Sequence, residues 1–372
     1  MQKRVGIGLV GAGYMGKVHA IAYAVVGSVF ELDIRPELEM ICTTNAAAAA
    51  EKASKLGFKR STDDWRKLIA DGAVDAVVIA SPQSTHLEIA SAAIAAGKAV
   101  FCEKPLGLGL DHAKKLNDLA VAAAVPNMMG FNYIRTPASQ LARQIIQSGE
   151  IGEITHFRGE HSEDFLADPD QRIGWRTKGK SNGTMGDLAP HMINAALRLI
   201  GPIEEVVADI YSVDMSVAQN GSGVTENDDI GQVLCRFEGG ARGLMHFSRV
   251  AAGRKMGYAY EIFGTKGAIR FDQEDQNALW FCEGVSQARD HGFKKILAGP
   301  THPDFLPFCQ GPGHGTGYQD QITIEARDFL KAIETGEAIW PTFADGLAVS
   351  EVVEACWISH QERRWASVSE VR

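Results

Sequence analysis

The segment RVGIGLVGAGYMGKVH, residues 4–19, contains the pattern G-x-G-x-x-G in two overlapping copies. The copies are Gly6, Gly8 and Gly11, and Gly11, Gly13 and Gly16. A phosphate-binding loop of this kind needs a buried strand before it and a helix after it. Only the second copy follows an apolar run of strand length, residues 5–10. The second copy is therefore the predicted phosphate-binding loop, and Gly6 and Gly8 are predicted to lie inside a crowded strand.

Each glycine of the second copy has its own task in such a loop. Gly11 makes the tight turn, Gly13 lets the backbone approach a pyrophosphate, and Gly16 lets the helix pack closely on the strand. Tyr14 and Met15 lie between the last two glycines and belong to the predicted cofactor-binding set. The motif also occurs in α/β proteins that bind no dinucleotide, so a purely structural role is the alternative.

Strand-like and helix-like segments alternate through the first third of the chain. After the first strand, the predicted strands are 38–42, 74–80 and 99–102, and the predicted helices are 46–56, 85–96 and 110–124. Such alternation is typical of a parallel, doubly wound sheet. Later strand-like stretches instead follow one another, at 204–210, 231–237, 243–248, 258–263 and 268–271, with helices over 320–333 and from 343. We expect an α/β Rossmann domain over 1–129 and, over 130–372, an α+β domain with an open, mainly antiparallel sheet.

The end of the second predicted strand lacks the acidic residue that usually binds the adenosine ribose of NAD. Thr43 and Thr44 stand there instead, and both are assigned to the cofactor site. Thr43 follows Gly16 by 27 residues (43 − 16), whereas the usual spacing is about 20. Residues 26–36 are therefore predicted to form an inserted loop. A neutral threonine permits NADP without attracting its phosphate, so NAD is favoured and NADP stays open.

Composition excludes several classes of partner. The formal net charge is −9, which argues against binding to nucleic acid or an anionic membrane. No run approaches the roughly 18 apolar residues of a membrane span. The six cysteines are scattered without zinc-type spacing, which indicates free thiols in a reducing cytoplasm and no metal site. Glycines break the N-terminal apolar run, which argues against a secretory signal.

Two separate segments carry groups suited to chemistry. The fourth strand runs into Glu103-Lys104-Pro105, and ligands of an open α/β sheet bind beyond the carboxyl ends of its strands. Lys104 could stabilise a developing alkoxide there, or the two charges could form a solvated surface pair. Further along, Asp187 and His191 are four residues apart at a predicted helix start. A carboxylate beside a histidine suits a general base; the alternative is a helix-capping Asp with an unrelated His. Pro190 is tolerated if it lies in the first helical turn.

Four motifs in this order resemble the glucose–fructose oxidoreductase / inositol dehydrogenase (Gfo/Idh/MocA) family over essentially the whole chain. They are G-A-G-Y-M-G at 11–16, S-P-Q-S-T-H at 81–86, E-K-P at 103–105 and G-D-L-A-P-H at 186–191. The resemblance implies that Lys104, Asp187 and His191 form the catalytic set. It also adds Ser81, Pro82, His86 and Glu103 to the cofactor site. Asn194 departs from the family, which commonly has an Asp three residues after the His.

Further stretches look most like family members that oxidise inositols, levoglucosan or L-glucose. They are G-F-N-Y-I-R at 130–135, F-R-G at 157–159, A-D-P at 167–169 and G-W-R at 174–176. Asn132, Tyr133, Asp164 and Arg176 could bond sugar hydroxyls. His314 could do so if its loop closes over the site of its own chain or of a neighbouring subunit. Each of these side chains could instead be an ordinary solvated group. By resemblance, one face of the second-domain sheet pairs with another subunit in a homodimer or tetramer.

The sequence thus predicts an NAD(P)-dependent dehydrogenase that oxidises a secondary hydroxyl of a cyclic polyol or sugar. His191 would take the hydroxyl proton, Asp187 would orient His191, and Lys104 would bond the reacting oxygen. Two alternatives remain: an NAD-dependent glycosidase of the same family, and a dinucleotide-binding sensor without turnover.

Overall fold

A computed structural model describes residues 3–168, 175–213 and 227–372 of the chain. The chain forms two compact units that interleave along the sequence. Unit 1 comprises Met1–Arg135 and Gly317–Ala348, and unit 2 comprises Thr136–Thr316 and Val349–Arg372. The division into domains at residues 129 and 130 stays a prediction, since these units are defined by contacts rather than by independent folding.

Strands and helices are numbered separately in chain order. The strands are β1 (Lys3–Val10), β2 (Ile34–Cys42), β3 (Arg60–Thr62), β4 (Ala76–Ile79), β5 (Ala99–Glu103), β6 (Asn127–Gly130), β7 (Ile154–Ser162), β8 (Ile203–Tyr211), β9 (Ile230–Phe237), β10 (Arg242–Ser248), β11 (Gly257–Gly264), β12 (Gly267–Asp272), β13 (Ala278–Glu283), β14 (Lys294–Leu297) and β15 (Ala366–Ser367). The helices are α1 (Tyr14–Val29), α2 (Ala46–Leu56), α3 (Trp65–Ala70), α4 (His86–Ala95), α5 (Leu110–Ala123), α6 (Pro137–Gln147), α7 (Thr184–Asp187), α8 (Ala189–Leu199), α9 (Tyr318–Thr335) and α10 (Phe343–Glu362).

Unit 1 is built on a six-stranded sheet in the order β3-β2-β1-β4-β5-β6. Neighbouring strands of this sheet pair in parallel, which confirms the predicted doubly wound sheet. β1 and β4 lie at its centre, and their apolar side chains, including Ile7 and Val78, are completely buried. The chain reverses its direction of winding between these two strands, and this is where such sheets bind ligands at their carboxyl ends.

The predicted loop over residues 26–36 is wrong. Helix α1 continues to Val29 and β2 already begins at Ile34, so the additional length is divided between a longer helix and a longer strand. Pro36 lies within β2 and aligns with Val5 of β1. On its other side β2 pairs with β3 only over Met40–Cys42, so β2 is an edge at Pro36. A proline without an N–H is tolerated at such an edge.

Unit 1 also contains a helix from far along the chain. The side-chain amide of Gln319, in α9, donates to the Val18 carbonyl of α1 at 2.8 Å, and the Tyr318 ring lies 5.9 Å from the Tyr14 ring. The predicted helix over 320–333 is thereby confirmed at slightly greater length.

Unit 2 is built on a nine-stranded sheet in the order β14-β13-β12-β11-β7-β10-β9-β8-β15. Within the described part of the chain, β7 and β10 run parallel and the other neighbouring strands run antiparallel. The expected mainly antiparallel sheet is confirmed, although β7, β13, β14 and β15 were not foreseen.

Helices α7 and α8 lie on one face of this second sheet. A Cβ built on Gly159 of β7 would lie 2.7 Å from the Met192 sulfur of α8. Likewise, a Cβ on Gly231 of β9 would lie 2.4 Å from the Met185 sulfur of α7. The glycines in these strands therefore let both helices approach the sheet closely, and they fix the segment that carries Asp187 and His191.

Helices long and apolar enough to cross a membrane are absent from the described ranges.

Candidate functional site

The loop between β1 and α1 has the geometry of a phosphate-binding turn. Gly11 has φ +100°, and a Cβ there would lie 2.5 Å from the Ala80 carbonyl oxygen, so only glycine fits. A Cβ on Gly16 would lie 2.0 Å from the Gly11 carbonyl oxygen, whereas a Cβ on Gly13 would meet nothing within 4 Å. Gly13 is also the N-cap of α1 and supplies no side-chain bond to the first N–H groups of the helix. The loop therefore fits a dinucleotide, because these N–H groups and the open space above Gly13 suit a pyrophosphate.

The glycines of the first copy are packed inside the protein. A Cβ on Gly6 would lie 1.8 Å from the Ala73 carbonyl oxygen, and one on Gly8 would lie 2.6 Å from the Leu68 side chain. Both residues are buried within β1. These glycines are therefore needed for strand packing, and the open loop begins at Gly11.

Thr43 and Thr44 follow directly on the carboxyl end of β2. The Thr43 hydroxyl donates to the Asn45 carbonyl at 2.9 Å, and Asn45 in turn caps α2 by accepting from the Ala48 N–H. The side chain at position 43 therefore stands at the start of this turn, where an acid would face a ribose in NAD-binding sheets.

Replacing Thr43 with Asp should increase the preference for NAD over NADP by about 10- to 100-fold, the value of one charge-assisted hydrogen bond of about 1.5–3 kcal/mol. The new carboxylate would accept from the ribose hydroxyls of NAD and repel the 2′-phosphate of NADP. The measurement is the ratio of kcat/KM for the two cofactors, with Thr43→Ser as the control that keeps the hydroxyl. An unchanged ratio would place the ribose elsewhere.

The loop after β4 is tied to the turn after β5. The ring of His86 is buried, and its Nδ1 and Nε2 lie 2.9 and 3.0 Å from the carbonyl oxygens of Pro105 and Ser81. Burial lowers the pKa of His86, while the two carbonyl acceptors act in the opposite direction. The hydroxyl groups of Ser81 and Thr85 are hydrogen-bonded to each other at 2.6 Å. His86 thus connects the Ser81-Pro82 turn to the segment that carries Lys104; its contact with the cofactor stays a prediction.

Glu103 is a buried residue rather than half of a solvated charge pair. Its Oε1 lies 2.7 Å from Nε2 of His19, on α1, and a Cβ on Gly130 would lie 2.9 Å from its Oε2. The next residue, Lys104, is half-buried at the carboxyl end of β5, and the Lys104–Pro105 peptide is cis. Glu103 is therefore not part of a solvated surface charge pair. Its carboxylate holds the end of β5, next to Lys104.

A second carboxyl group lies completely buried nearby in unit 1. Glu325 of α9 is 0% exposed, and burial followed by the charge of Glu103 raises its pKa well above the usual range. Burial also raises the pKa of Tyr23, on α1, with Glu325 as the second cause. Sequence analysis did not identify Glu325, because in the sequence it resembles the other acidic residues of the same helix.

Replacing Glu325 with Gln should stabilise the protein increasingly as the pH rises. The pKa of Glu325 is raised in the folded state, so wild-type stability is greatest below the unfolded value of about 4.3 and declines as pH rises towards the folded value. The penalty grows by at most about 1.4 kcal/mol per pH unit. Thermal unfolding at pH 5 and pH 8 measures this, with the exposed Glu334 of the same helix replaced by Gln as the control. A Tm difference between variant and wild type that is the same at both pH values would contradict the buried-acid assignment.

The segment carrying Asp187 and His191 is a broken helix in unit 2. α7 ends at Asp187 and α8 begins at Ala189, with Pro190 in the first turn of α8, where it is tolerated. The His191 N–H donates to the Leu188 carbonyl at 3.3 Å, a tighter turn than in a regular α-helix. The N-caps are Gly183 for α7 and Leu188 for α8, so Asp187 occupies the N-cap position of neither helix. His191 is buried and Asp187 half-buried.

A second buried histidine lies beside His191. The ring of His161, on β7, contacts the His191 ring with centroids 5.5 Å apart. Its Nδ1 donates to the Leu188 carbonyl at 2.9 Å, and its Nε2 lies 3.1 Å from Glu163 Oε1. His161 therefore holds the residue at which the helix breaks. Sequence analysis did not identify His161, because β7 itself was not predicted.

The predicted sugar-binding residues of unit 1 differ in accessibility. Asn132 is buried, and its amide donates to Oε1 of Gln321 at 2.8 Å. The ring of Tyr133 is half-buried and lies 6.1 Å from the Tyr318 ring. Tyr133 is thus the more accessible of the two.

The predicted sugar-binding residues of unit 2 have different surroundings. Asp164 accepts from Lys255 Nζ at 2.6 Å, and this bond lowers its pKa. Arg176 is exposed, with its guanidinium 5.8 Å from the Phe165 ring. His314 is exposed in a turn after Gly311. Two residues of the quoted motifs, Pro169 and Gly174, lie outside the described residues.

Clusters of three or more His, Cys, Asp or Glu side chains that could hold a metal ion do not occur in the parts of the chain described. All six cysteines are free.

Two protein-family models together match most of the chain. Residues 5–131 match the model of the oxidoreductase family with an NAD-binding Rossmann fold. Residues 139–270 match the GFO/IDH/MocA C-terminal domain.

Similar proteins are known in sequence and in structure. Levoglucosan dehydrogenase of Pseudarthrobacter phenanthrenivorans is 35% identical, over 99% of both chains. Inositol 2-dehydrogenase of Rhizobium meliloti is 29% identical, over 98% of this chain and 99% of its own. A solved levoglucosan dehydrogenase in complex with NADH and levoglucosan superposes with a TM-score of 0.94 at 37% identity, covering 98% of this chain and all of the other.

Proposed function

Because this chain belongs to the GFO/IDH/MocA oxidoreductase family, whose N-terminal domain is an NAD-binding Rossmann fold, we propose that it oxidises a secondary hydroxyl of a cyclic polyol or sugar to the ketone. The cofactor is NAD. The observation that carries the proposal is that one chain combines an open dinucleotide loop at Gly13 with a buried His191 in the D-x-x-x-H segment. Relatives named for levoglucosan and inositol support the substrate class.

The cofactor would be held along the carboxyl edge of the unit 1 sheet. The pyrophosphate would lie over Gly13 at the start of α1, and the ribose near Thr43 and Thr44. The remaining proposed contacts are Gly11, Tyr14, Met15, Gly16, Ser81, Pro82, His86, Glu103 and Lys104. When bound, NAD supplies the acceptor for the hydride that leaves the carbinol carbon.

The chain's own residues would handle the proton and the charge. His191 accepts the hydroxyl proton, and Asp187 orients the imidazole and stabilises its cation. Lys104 donates a hydrogen bond to the same oxygen and stabilises the negative charge that develops there. Asn132, Tyr133, Asp164, Arg176 and His314 are proposed to bond the other hydroxyl groups of the substrate.

A substrate panel tests this function. Levoglucosan, L-glucose and a set of inositols are each incubated with enzyme and NAD, and the absorbance of NADH is followed. Net NADH formation with one class supports the dehydrogenase. Cleavage of a glycoside without net NADH formation would instead indicate the family's glycosidase chemistry. NADH binding without turnover of any compound would indicate a sensor.

We further propose that the enzyme is a homodimer or homotetramer that uses the open face of the unit 2 sheet. Leu234 and Leu244 are directly opposite each other on β9 and β10, and they are 48% and 43% exposed. Adjacent apolar side chains on an open sheet face favour a partner there. Light scattering that gives the mass of a single chain would contradict this assignment. The free state of all six cysteines supports a cytoplasmic location.

A further inference from the structure

The start of the broken helix is in close contact with a buried carboxyl group. The N–H of Met185, in α7, donates to Oδ2 of Asp228 at 2.7 Å. Oδ1 of the same carboxyl group lies so close to Gly183 that a Cβ there would be 1.8 Å away. The Thr184 N–H donates to the Asp228 carbonyl at 3.0 Å. Asp228 therefore contacts three consecutive residues that immediately precede Gly186 and Asp187.

The residues on either side of Asp228 extend this contact. The Thr184 hydroxyl donates to the Asp229 carbonyl at 2.7 Å. Nε of Arg249, which is 1% exposed, bonds Oδ1 of Asp229 at 2.9 Å. Nη1 of Arg249 donates to the carbonyls of Arg176 and Asn182 at 2.8 and 3.0 Å, and Nη2 bonds the Asn227 side chain. Residues 227–229 and Arg249 thus bond the chain both before the turn that leads into α7, at Arg176 and Asn182, and after it, at Thr184.

Asp228 lowers stability when it is ionised. It is 3% exposed, and burial raises its pKa to about 6. Within the described residues, its Oδ1 has no hydrogen-bond partner. A buried acceptor that is only half satisfied is unfavourable, so packing alone does not account for a carboxyl group at this position.

We propose that Asp228 is a positioning residue that sets where α7 begins and thereby where Asp187 and His191 lie. This inference rests on the proposed function, since it assigns His191 the role of base. α7 has only four residues, so a shift of its first N–H groups is not absorbed along a long helix. At the other end of α7, His161 holds the Leu188 carbonyl. Asp187 is therefore fixed between Asp228 and His161.

The test displaces the carboxyl group without removing it. In Gly183→Ala, the added methyl would occupy the position of Oδ1 and force Asp228 away from Met185. Gly239→Ala is the matched control, because a Cβ there meets nothing within 4 Å in the exposed turn between β9 and β10. We expect kcat of Gly183→Ala to fall about 10- to 100-fold, as a displacement of about 1 Å in a catalytic group can do. The affinity for NADH, measured by fluorescence, should stay unchanged, as should all properties of Gly239→Ala.

A second pair of variants separates positioning from folding. Asp228→Ala should lose kcat as Gly183→Ala does, and Asp228→Asn should recover most of it, because the amide oxygen still accepts from Met185. Hydrogen exchange of the peptide 184–192 should become faster in Gly183→Ala and Asp228→Ala, with the rest of unit 2 unchanged. A wild-type kcat in both Gly183→Ala and Asp228→Ala would overturn the inference. Faster hydrogen exchange throughout unit 2 in these variants would overturn it as well. If the wild type itself oxidises no compound, the proposed function fails, and exchange of 184–192 still decides whether Asp228 holds α7.

Discussion

Replacing His191 with Ala should lower kcat by roughly 10²–10⁴-fold, the usual contribution of a general base. An ordinary imidazole has a pKa near 6.5 and an ordinary lysine one near 10.4, so a lysine would need a depression of several pH units, at about 1.36 kcal/mol each, to serve as the base at pH 7. His191 is therefore assigned as the acceptor of the hydroxyl proton, and Lys104 as the group that stabilises the negative charge on the oxygen. The affinity for NADH should not change, because the predicted cofactor contacts all lie in unit 1.

The pH dependence distinguishes the two roles. The residual activity of His191→Ala should rise with pH, because hydroxide can replace the missing base. Lys104→Met should lose comparable activity without this recovery, because hydroxide does not replace a positive donor. The control is His156→Ala, which changes an exposed histidine of β7. If high pH restored the activity of Lys104→Met but not that of His191→Ala, Lys104 would be the base and His191 the group that stabilises the charge. Near-normal turnover of His191→Ala would show that the broken helix has no catalytic part.

Replacing Gly13 with Val should abolish NADH binding while the protein stays folded. The backbone at Gly13 has φ −71° and ψ −160°, an extended conformation that a β-branched residue adopts readily. A Cβ there meets no protein atom within 4 Å, so the valine side chain would occupy only the space assigned to the pyrophosphate. Titration of NADH fluorescence measures binding, and the Tm measures folding.

Two further glycine variants serve as comparisons. Gly27→Val lies on the same helix, α1, and its Cβ also meets nothing within 4 Å, so NADH binding should be retained. Gly6→Val should instead prevent folding, because its Cβ would lie 1.8 Å from the Ala73 carbonyl oxygen. Normal NADH affinity in Gly13→Val would show that the pyrophosphate does not approach the loop at this residue.

The sequence was sufficient for features that depend on neighbours along the chain. The choice between the two glycine copies needed only the apolar run before Gly11, and the structure agrees that Gly6 and Gly8 lie inside β1. The alternation of strands and helices predicted the parallel sheet of unit 1. The error over residues 26–36 arose because the long spacing from Gly16 to Thr43 was assigned to a loop, whereas a longer helix and a longer strand that contains Pro36 take it up. A proline is acceptable in a strand when its edge is unpaired, and pairing is not visible in one segment of sequence.

The partners of the candidate site were decided by the tertiary structure. Asp187 and His191 could be proposed from sequence, because a spacing of four residues predicts one helical face, although the structure breaks that helix at Leu188. His161 and Asp228 could not, because β7 and the segment before β9 reach α7 only through the order of the nine-stranded sheet. Glu103 and Lys104 likewise look alike in sequence as neighbouring charges, and only the packing of His19 and Gly130 around Glu103 separates a buried anchor from a half-buried donor. Local periodicity determined the elements and the chemistry that they carry, whereas burial and long-range strand pairing determined which charged groups hold that chemistry in place.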